Sequence, residues 1–295
     1  MRLVPRVQRR ALTAAAVALL ATAVGCAPQS DDKAGATPSG SSSGAACAKG
    51  ALATTASGKL TVGTDTPAYE PWFKDDKPSN GQGFESAVAY AVAQQLGYGK
   101  GAVVWQTVPF NKAFAPGVKT FDFDINQVSI SAERKKAVDF SSGYYDVRQA
   151  VIALKGTKAA QAKSLADLKG LKLGAQVGTT SLEYIQDVVK PGQEAAAYAK
   201  NDQAKAALQN KQVDAIVVDL PTAFYITGAE VTDATIVGQF ENRSGATEQF
   251  GLVLDKGSAL TPCVTAAVDA LRKDGTLAKL EQQWLSDAVD APVLK

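Results

Sequence analysis

Strand patterns and helix patterns alternate along most of this chain, and that alternation confines it to an α/β architecture. KLTVGTD (59–65) is a short β-branched run ending in turn residues. FESAVAYAVAQQLG (84–97) repeats apolar residues at helical spacing before a closing glycine. AVVWQTVPF (102–110) and FDFDINQVSI (121–130) read as strands. In the second, Phe121, Phe123 and Ile125 alternate with Asp122, Asp124 and Asn126, which predicts two unlike faces. The order then begins again. SLADLKG (164–170) predicts a short helix capped by Ser164, LKLGAQVGTT (171–180) a strand, and SLEYIQDVVK the start of another helix. A helix over 201–212 precedes VDAIVVD (213–219), an apolar run of the kind buried inside parallel sheets. QFGLVL (249–254) is a further strand, and helices over 258–273 and 275–286 close the pattern. Two βαβ halves sharing a cleft are the natural outcome.

Ligands of open α/β sheets sit outside the carboxyl ends of the strands. Polar clusters fall there: Asp65 after one strand, Gln127 and Ser129 after another, Gly178 to Thr180 after a third, Asp219 after a fourth. The stretch NQVSISAERKK (126–136) admits two readings. One is a strand end, a helix cap and solvated charges. The other is a grip on a small zwitterion, with Arg134 as its cationic arm.

Composition excludes several functions. No histidine occurs, which removes His-dependent triads, most general-base schemes at neutral pH and most zinc sites. A net charge of +2 gives no ground for a nucleic-acid partner or an anionic membrane surface. Arg2, Arg6, Arg9 and Arg10 precede an apolar run from Ala11 to Val24, the form of an export signal over 1–25. The flanks of the Arg9-Arg10 pair fit a twin-arginine signal poorly. The run stops at AVGC, which resembles a lipobox and marks Cys26 for lipidation; an ordinary cleaved signal is the alternative. Residues 26–46 are rich in Gly, Ser, Pro and Ala and predict a disordered tether. Two cysteines remain, Cys47 and Cys263, candidates for one disulfide in an exported chain, with two free buried thiols as the alternative.

Six segments in order resemble the bacterial extracellular solute-binding proteins of the polar amino-acid class, the receptors of ABC importers. They are TDTPAYEPW, GFESAVAYAVAQQLG, INQVSISAERKKAVDFSSGYY, LADLKGLKLGAQVGTTS, VDAIVVDLPTAFY and DGTLAKLEQQW. The chain departs from the family in two places: Ala87 stands where a second acid usually follows Glu85, and an extra residue lies between Asp65 and Tyr69. The resemblance implies a periplasmic-binding-protein-like fold, two lobes joined by two crossover strands. Lobe 1 would take residues 47–148 and 247–295, and lobe 2 residues 149–246. Cys47 and Cys263 then share lobe 1, which supports the bridge.

The same resemblance assigns a site. Arg134 matches the clamp on the ligand carboxylate, where a planar guanidinium gives two parallel hydrogen bonds. Thr179 and Thr180 match the second carboxylate contact, although helix capping would also account for them. Asp219 matches the ammonium-binding carboxylate, helped by Gln127 through its backbone carbonyl and by Ser129 through its hydroxyl. Tyr69 and Phe110 match the walls around the ligand side chain, and Asp65 and Asn126 the distal end. Trp72 reads as packing near the mouth. The implied ligand is a free polar or charged amino acid. The implied partner is an ABC permease, the implied place the outer face of the cell membrane through a lipid, and the implied state a monomer. No cofactor is implied. Neither is a metal, since both remaining cysteines go to the bridge. A dehydratase on the same fold and an amino-acid sensor are the rival functions.

Overall fold

The computed structural model describes Cys47, residues 49–285 and residues 291–295. The export signal, Cys26 and the tether over 26–46 lie outside the described residues. Two mixed sheets form the frame. The first contains β1 (Leu60–Thr64), β2 (Val103–Thr107), β3 (Phe123–Asp124), β4 (Val138–Val147) and β10 (Glu248–Asp255), in the order β2-β1-β3-β10-β4. Strands β1, β2 and β3 run parallel, and β10 lies antiparallel to β3 and β4. The second contains β5 (Gln149–Leu154), β6 (Leu173–Gln176), β7 (Ala196–Tyr198), β8 (Ala215–Asp219), β9 (Ala234–Phe240) and β11 (Val293–Leu294), in the order β11-β9-β5-β8-β6-β7. The chain leaves the first sheet at Val147, enters the second at Gln149, and returns between Phe240 and Glu248.

Each sheet carries its own core. Leu60, Val62, Phe123 and Phe250 pack against Phe84, Val88 and Val92 of the helix Phe84–Gln95 and against Val264 and Val268 of the helix Thr261–Lys273. In the second body, Val151 and Val217 face one helical layer while Ala150, Ile152 and Ile216 face the other. Alternate residues therefore enter opposite cores, which is why β5 and β8 read as unbroken apolar runs. Cys47 and Cys263 form a disulfide with Cα atoms 5.3 Å apart. It ties the start of the described chain to the helix Thr261–Lys273.

Two expectations need correction. The run 121–130 does not form one long strand with a polar face; only Phe123–Asp124 pairs as β3. Both sides of it are buried, so Asp122 and Asp124 are as enclosed as Phe121 and Phe123. Asp122 satisfies itself by accepting from Thr55 N, Thr55 Oγ1 and Thr61 N at 2.6–2.7 Å. The run then turns at Gln127, whose φ is 50°. Nor does all of 247–295 stay with the first lobe. The helix Thr276–Leu285 packs on the first body, but Val293–Leu294 adds to β9 of the second sheet. Gln239 N donates to Pro292 O at 2.8 Å, Gln239 Nε2 to Ala291 O at 2.5 Å, and Leu165 N to Lys295 O at 3.0 Å. Gly238 permits the approach, since a Cβ there would stand 2.6 Å from Pro292 O. Unpaired backbone at the edge of β9 explains the docking: buried amides need partners.

Candidate functional site

Side chains from both bodies converge on one small cavity. All ten residues singled out in the sequence border it: Asp65, Tyr69, Phe110, Asn126, Gln127, Ser129, Arg134, Thr179, Thr180 and Asp219. Gln176, Ser181 and Asn201 complete the wall. A larger hollow elsewhere, bordered by Pro71, Phe224, Tyr225, Ile236 and Trp284, has one charged lining residue, Lys155. It lacks the paired opposite charges of the smaller cavity.

Arg134 begins the one-turn helix Arg134–Ala137 and is only 8% exposed. Its Nη1 donates to Ser129 O at 2.7 Å and its Nη2 to Gly178 O at 2.9 Å, so one guanidinium links the two bodies. The Phe114 ring lies 4.3 Å from the guanidinium carbon and fixes the plane of the fork. Burial lowers the pKa from its ordinary value, yet an arginine stays charged. Two of its five N–H groups go to these carbonyls, and the rest suit an anion. Gly178 is required at its position: φ is 78°, and a Cβ would fall 2.1 Å from Asn111 Oδ1.

Thr179 caps the helix that starts at Thr180. Its hydroxyl donates to Gln176 O at 2.7 Å and accepts from Leu182 N at 3.2 Å. Capping therefore occupies this side chain. What Thr179 and Thr180 can offer an anion is backbone N–H of the first turn. The Thr180 hydroxyl donates to Glu248 Oε1 at 2.7 Å, and the Ser129 hydroxyl donates to the same oxygen at 2.6 Å. Glu248, on the returning crossover strand, thus joins a hydroxyl from each body. Burial raises its pKa above the ordinary value.

Asp219 closes β8, and its Oδ1 accepts from Gln149 Nε2 at 2.7 Å. Ser181 Oγ holds the other end of that amide by donating to Gln149 Oε1 at 2.5 Å. Burial, and then the neighbouring Glu248, push the Asp219 carboxyl up to about 8. Gln127 turns its amide away from the cavity to Glu85, which also accepts from Gln127 N at 2.7 Å and from Tyr144 OH. The backbone carbonyl is what Gln127 retains for a ligand. Glu85 is fully buried, and burial raises its pKa to about 7. Trp72 is buried in the first core rather than at the mouth, with its Nε1 donating across to Thr222 Oγ1 at 2.9 Å.

Five residues around the cavity were not read from the sequence as functional: Glu248, Gln149, Gln176, Ser181 and Asn201. Gln149 did leave a signal, a polar residue opening the apolar run QAVIAL. Glu248 left one too, an acid inside a segment expected to cross between lobes.

Two α/β bodies joined by crossing strands, with a charge-bearing cavity at the strand ends between them, define a two-lobed solute-binding protein. The chain belongs to the bacterial extracellular solute-binding proteins, family 3, which it matches over residues 60–287. It is 30% identical over 228 residues to the L-cystine-binding protein of Escherichia coli (strain K12), a match covering 77% of this chain and 82% of that one. It is 28% identical to the L-arginine-binding protein of Pseudomonas aeruginosa, covering 80% and 95%. An ancestral arginine-binding protein bound to glutamine superimposes with a TM-score of 0.64 at 33% identity, covering 77% of this chain and 97% of that one. An ancestral amino acid-binding protein described as a precursor of cyclohexadienyl dehydratase gives 0.63 at 30% identity, covering 77% and 95%.

Proposed function

We propose that the protein captures one free polar amino acid by closing its two lobes and delivers it to an ABC import permease. The observation that carries this reading is the placement of Arg134 and Asp219 on different bodies but around one cavity. A zwitterion needs both poles matched in a dry cleft, because an unpaired buried charge costs several kcal/mol. In this reading Arg134 takes the carboxylate with the N–H groups of Thr179 and Thr180. Asp219, Ser129 and the carbonyl of Gln127 take the ammonium. Tyr69 and Phe110 flank the side chain, and Asp65 and Asn126 meet its end. A ligand touching both bodies favours the closed arrangement by its differential contacts. The lipid anchor at Cys26 and a monomeric state belong to the same proposal.

A screen of the common L-amino acids by thermal unfolding tests it. The correct ligand at 100 times its dissociation constant adds about 2.7 kcal/mol and raises the transition. A protein that none of them stabilises refutes the receptor reading.

A binder rather than an enzyme is the fitting reading, since the raised carboxyl of Asp219 has a use without catalysis. With its carboxyl raised to about 8 by burial, it holds a proton at neutral pH in the empty site. Pairing with an ammonium requires the carboxylate, so binding at neutral pH expels a proton. Affinity should then fall as pH drops below about 8, by up to about one decade per pH unit. Calorimetry in buffers of different ionisation enthalpy reads the released proton directly. Asp219→Asn should abolish the release along with most of the affinity.

A further inference from the structure

The distal end of the cavity narrows the choice of guest, and this step rests on the receptor reading above. Asp65 leaves β1 of the first body, and Lys200 precedes the helix Asn201–Gln209 of the second. Lys200 Nζ lies 3.3 Å from Asp65 Oδ1 and also donates to Thr66 O, so the pair forms across the gap between the bodies. The Asp65 side chain is 12% exposed and the Lys200 side chain 39%. The lysine is therefore partly screened by solvent while the acid is not. The carboxylate is spent elsewhere as well. Oδ1 accepts from Thr66 N at 2.7 Å, and Oδ2 accepts from Phe110 N at 3.2 Å.

Charge accounting follows from these contacts. With a zwitterion bound, Arg134 matches the carboxylate, Asp219 matches the ammonium, and Asp65 matches Lys200. Of the charged residues that border the cavity, none is left over for the guest's side chain, and Glu248 behind them is held by the hydroxyls of Ser129 and Thr180. A cationic side chain would have to displace Lys200 or lie beside it at like-charge cost. An anionic one would have to draw Lys200 away and leave Asp65 unmatched. Two groups on lining residues remain uncommitted: Asn126 Nδ2, on a residue only 7% exposed, and the Tyr69 hydroxyl are both buried without a hydrogen-bond partner, and each can donate. Buried donors in those positions call for an acceptor.

We propose that the site selects a neutral amino acid whose side chain ends in a hydrogen-bond acceptor, the carboxamide class of glutamine and asparagine. Lys200 sets that preference by neutralising Asp65. Titration calorimetry of the full chain with L-glutamine, L-asparagine, L-arginine, L-lysine and L-glutamate, repeated on Lys200→Met, tests it. The wild type should bind a carboxamide at least about tenfold more tightly than arginine or lysine, and Lys200→Met should gain about tenfold for arginine. Carboxamide binding by the variant should change less than about threefold, since the lost pair is partly exposed. Tightest binding of arginine, lysine or glutamate by the wild type overturns the assignment. So does a Lys200→Met variant whose arginine affinity is unmoved. Failure to bind any of the five, together with a blank screen of the remaining amino acids, instead overturns the receptor reading itself.

Discussion

Arg134→Ala is expected to weaken amino-acid binding by on the order of a hundredfold or more, the cost of stranding a desolvated carboxylate. The loss should exceed that of any other single change at the cavity, because Arg134 serves twice. It is the cationic arm for the ligand, and it ties Ser129 O to Gly178 O across the gap. Arg134→Lys separates the two parts. A lysine keeps the charge but not the planar fork, so it cannot hold both carbonyls and a carboxylate together. Its affinity should fall between those of the wild type and the alanine variant. Far-ultraviolet circular dichroism should show all three folded, since Arg134 contacts cleft carbonyls and the Phe110 and Phe114 rings, not the helix-packed core of either sheet. Calorimetry that finds the alanine variant within a few-fold of the wild type removes the clamp.

Opening the Cys47–Cys263 bridge should produce the largest change in stability. The cysteines are 216 residues apart in sequence. The chain-entropy argument for so long a loop gives ~5 kcal/mol, at the top of the range that measured disulfides reach. A Cys47→Ser and Cys263→Ser double variant should unfold at markedly lower denaturant concentration than the wild type, while binding its ligand with nearly unchanged affinity. The bridge lies on the helix Thr261–Lys273 and does not border the cavity. Equal denaturation midpoints would show that the unfolded chain gains little freedom from the cut.

The cavity was more legible in the sequence than the network behind it. Asp65, Gln127, Ser129 and Asp219 stand at or just past strand ends, where an open α/β sheet must present its loops, so local patterns located them. Glu248 was not legible in this way. Its partners, Ser129 and Thr180, lie 119 and 68 residues away in sequence, and only the meeting of two bodies brings them to one oxygen. Lys200 shares that limit: 135 residues separate it from Asp65. The run 121–130 misled for another reason. Alternation of Phe with Asp signals a solvated face only where one face is solvated. Here Asp122 is enclosed and satisfied by threonine donors, which periodicity does not register.

The small strand Val293–Leu294 bears on the exposed edge of the second sheet. Without it, β9 would present bare amides and carbonyls around Gln239 and Phe240, at the rim of a sheet whose interior is almost wholly apolar. Such a rim recruits any passing extended peptide, including the same segment of another copy. By laying its own tail there, with Leu294 2% exposed, the chain fills that end of the edge itself and leaves those groups no room for a foreign strand.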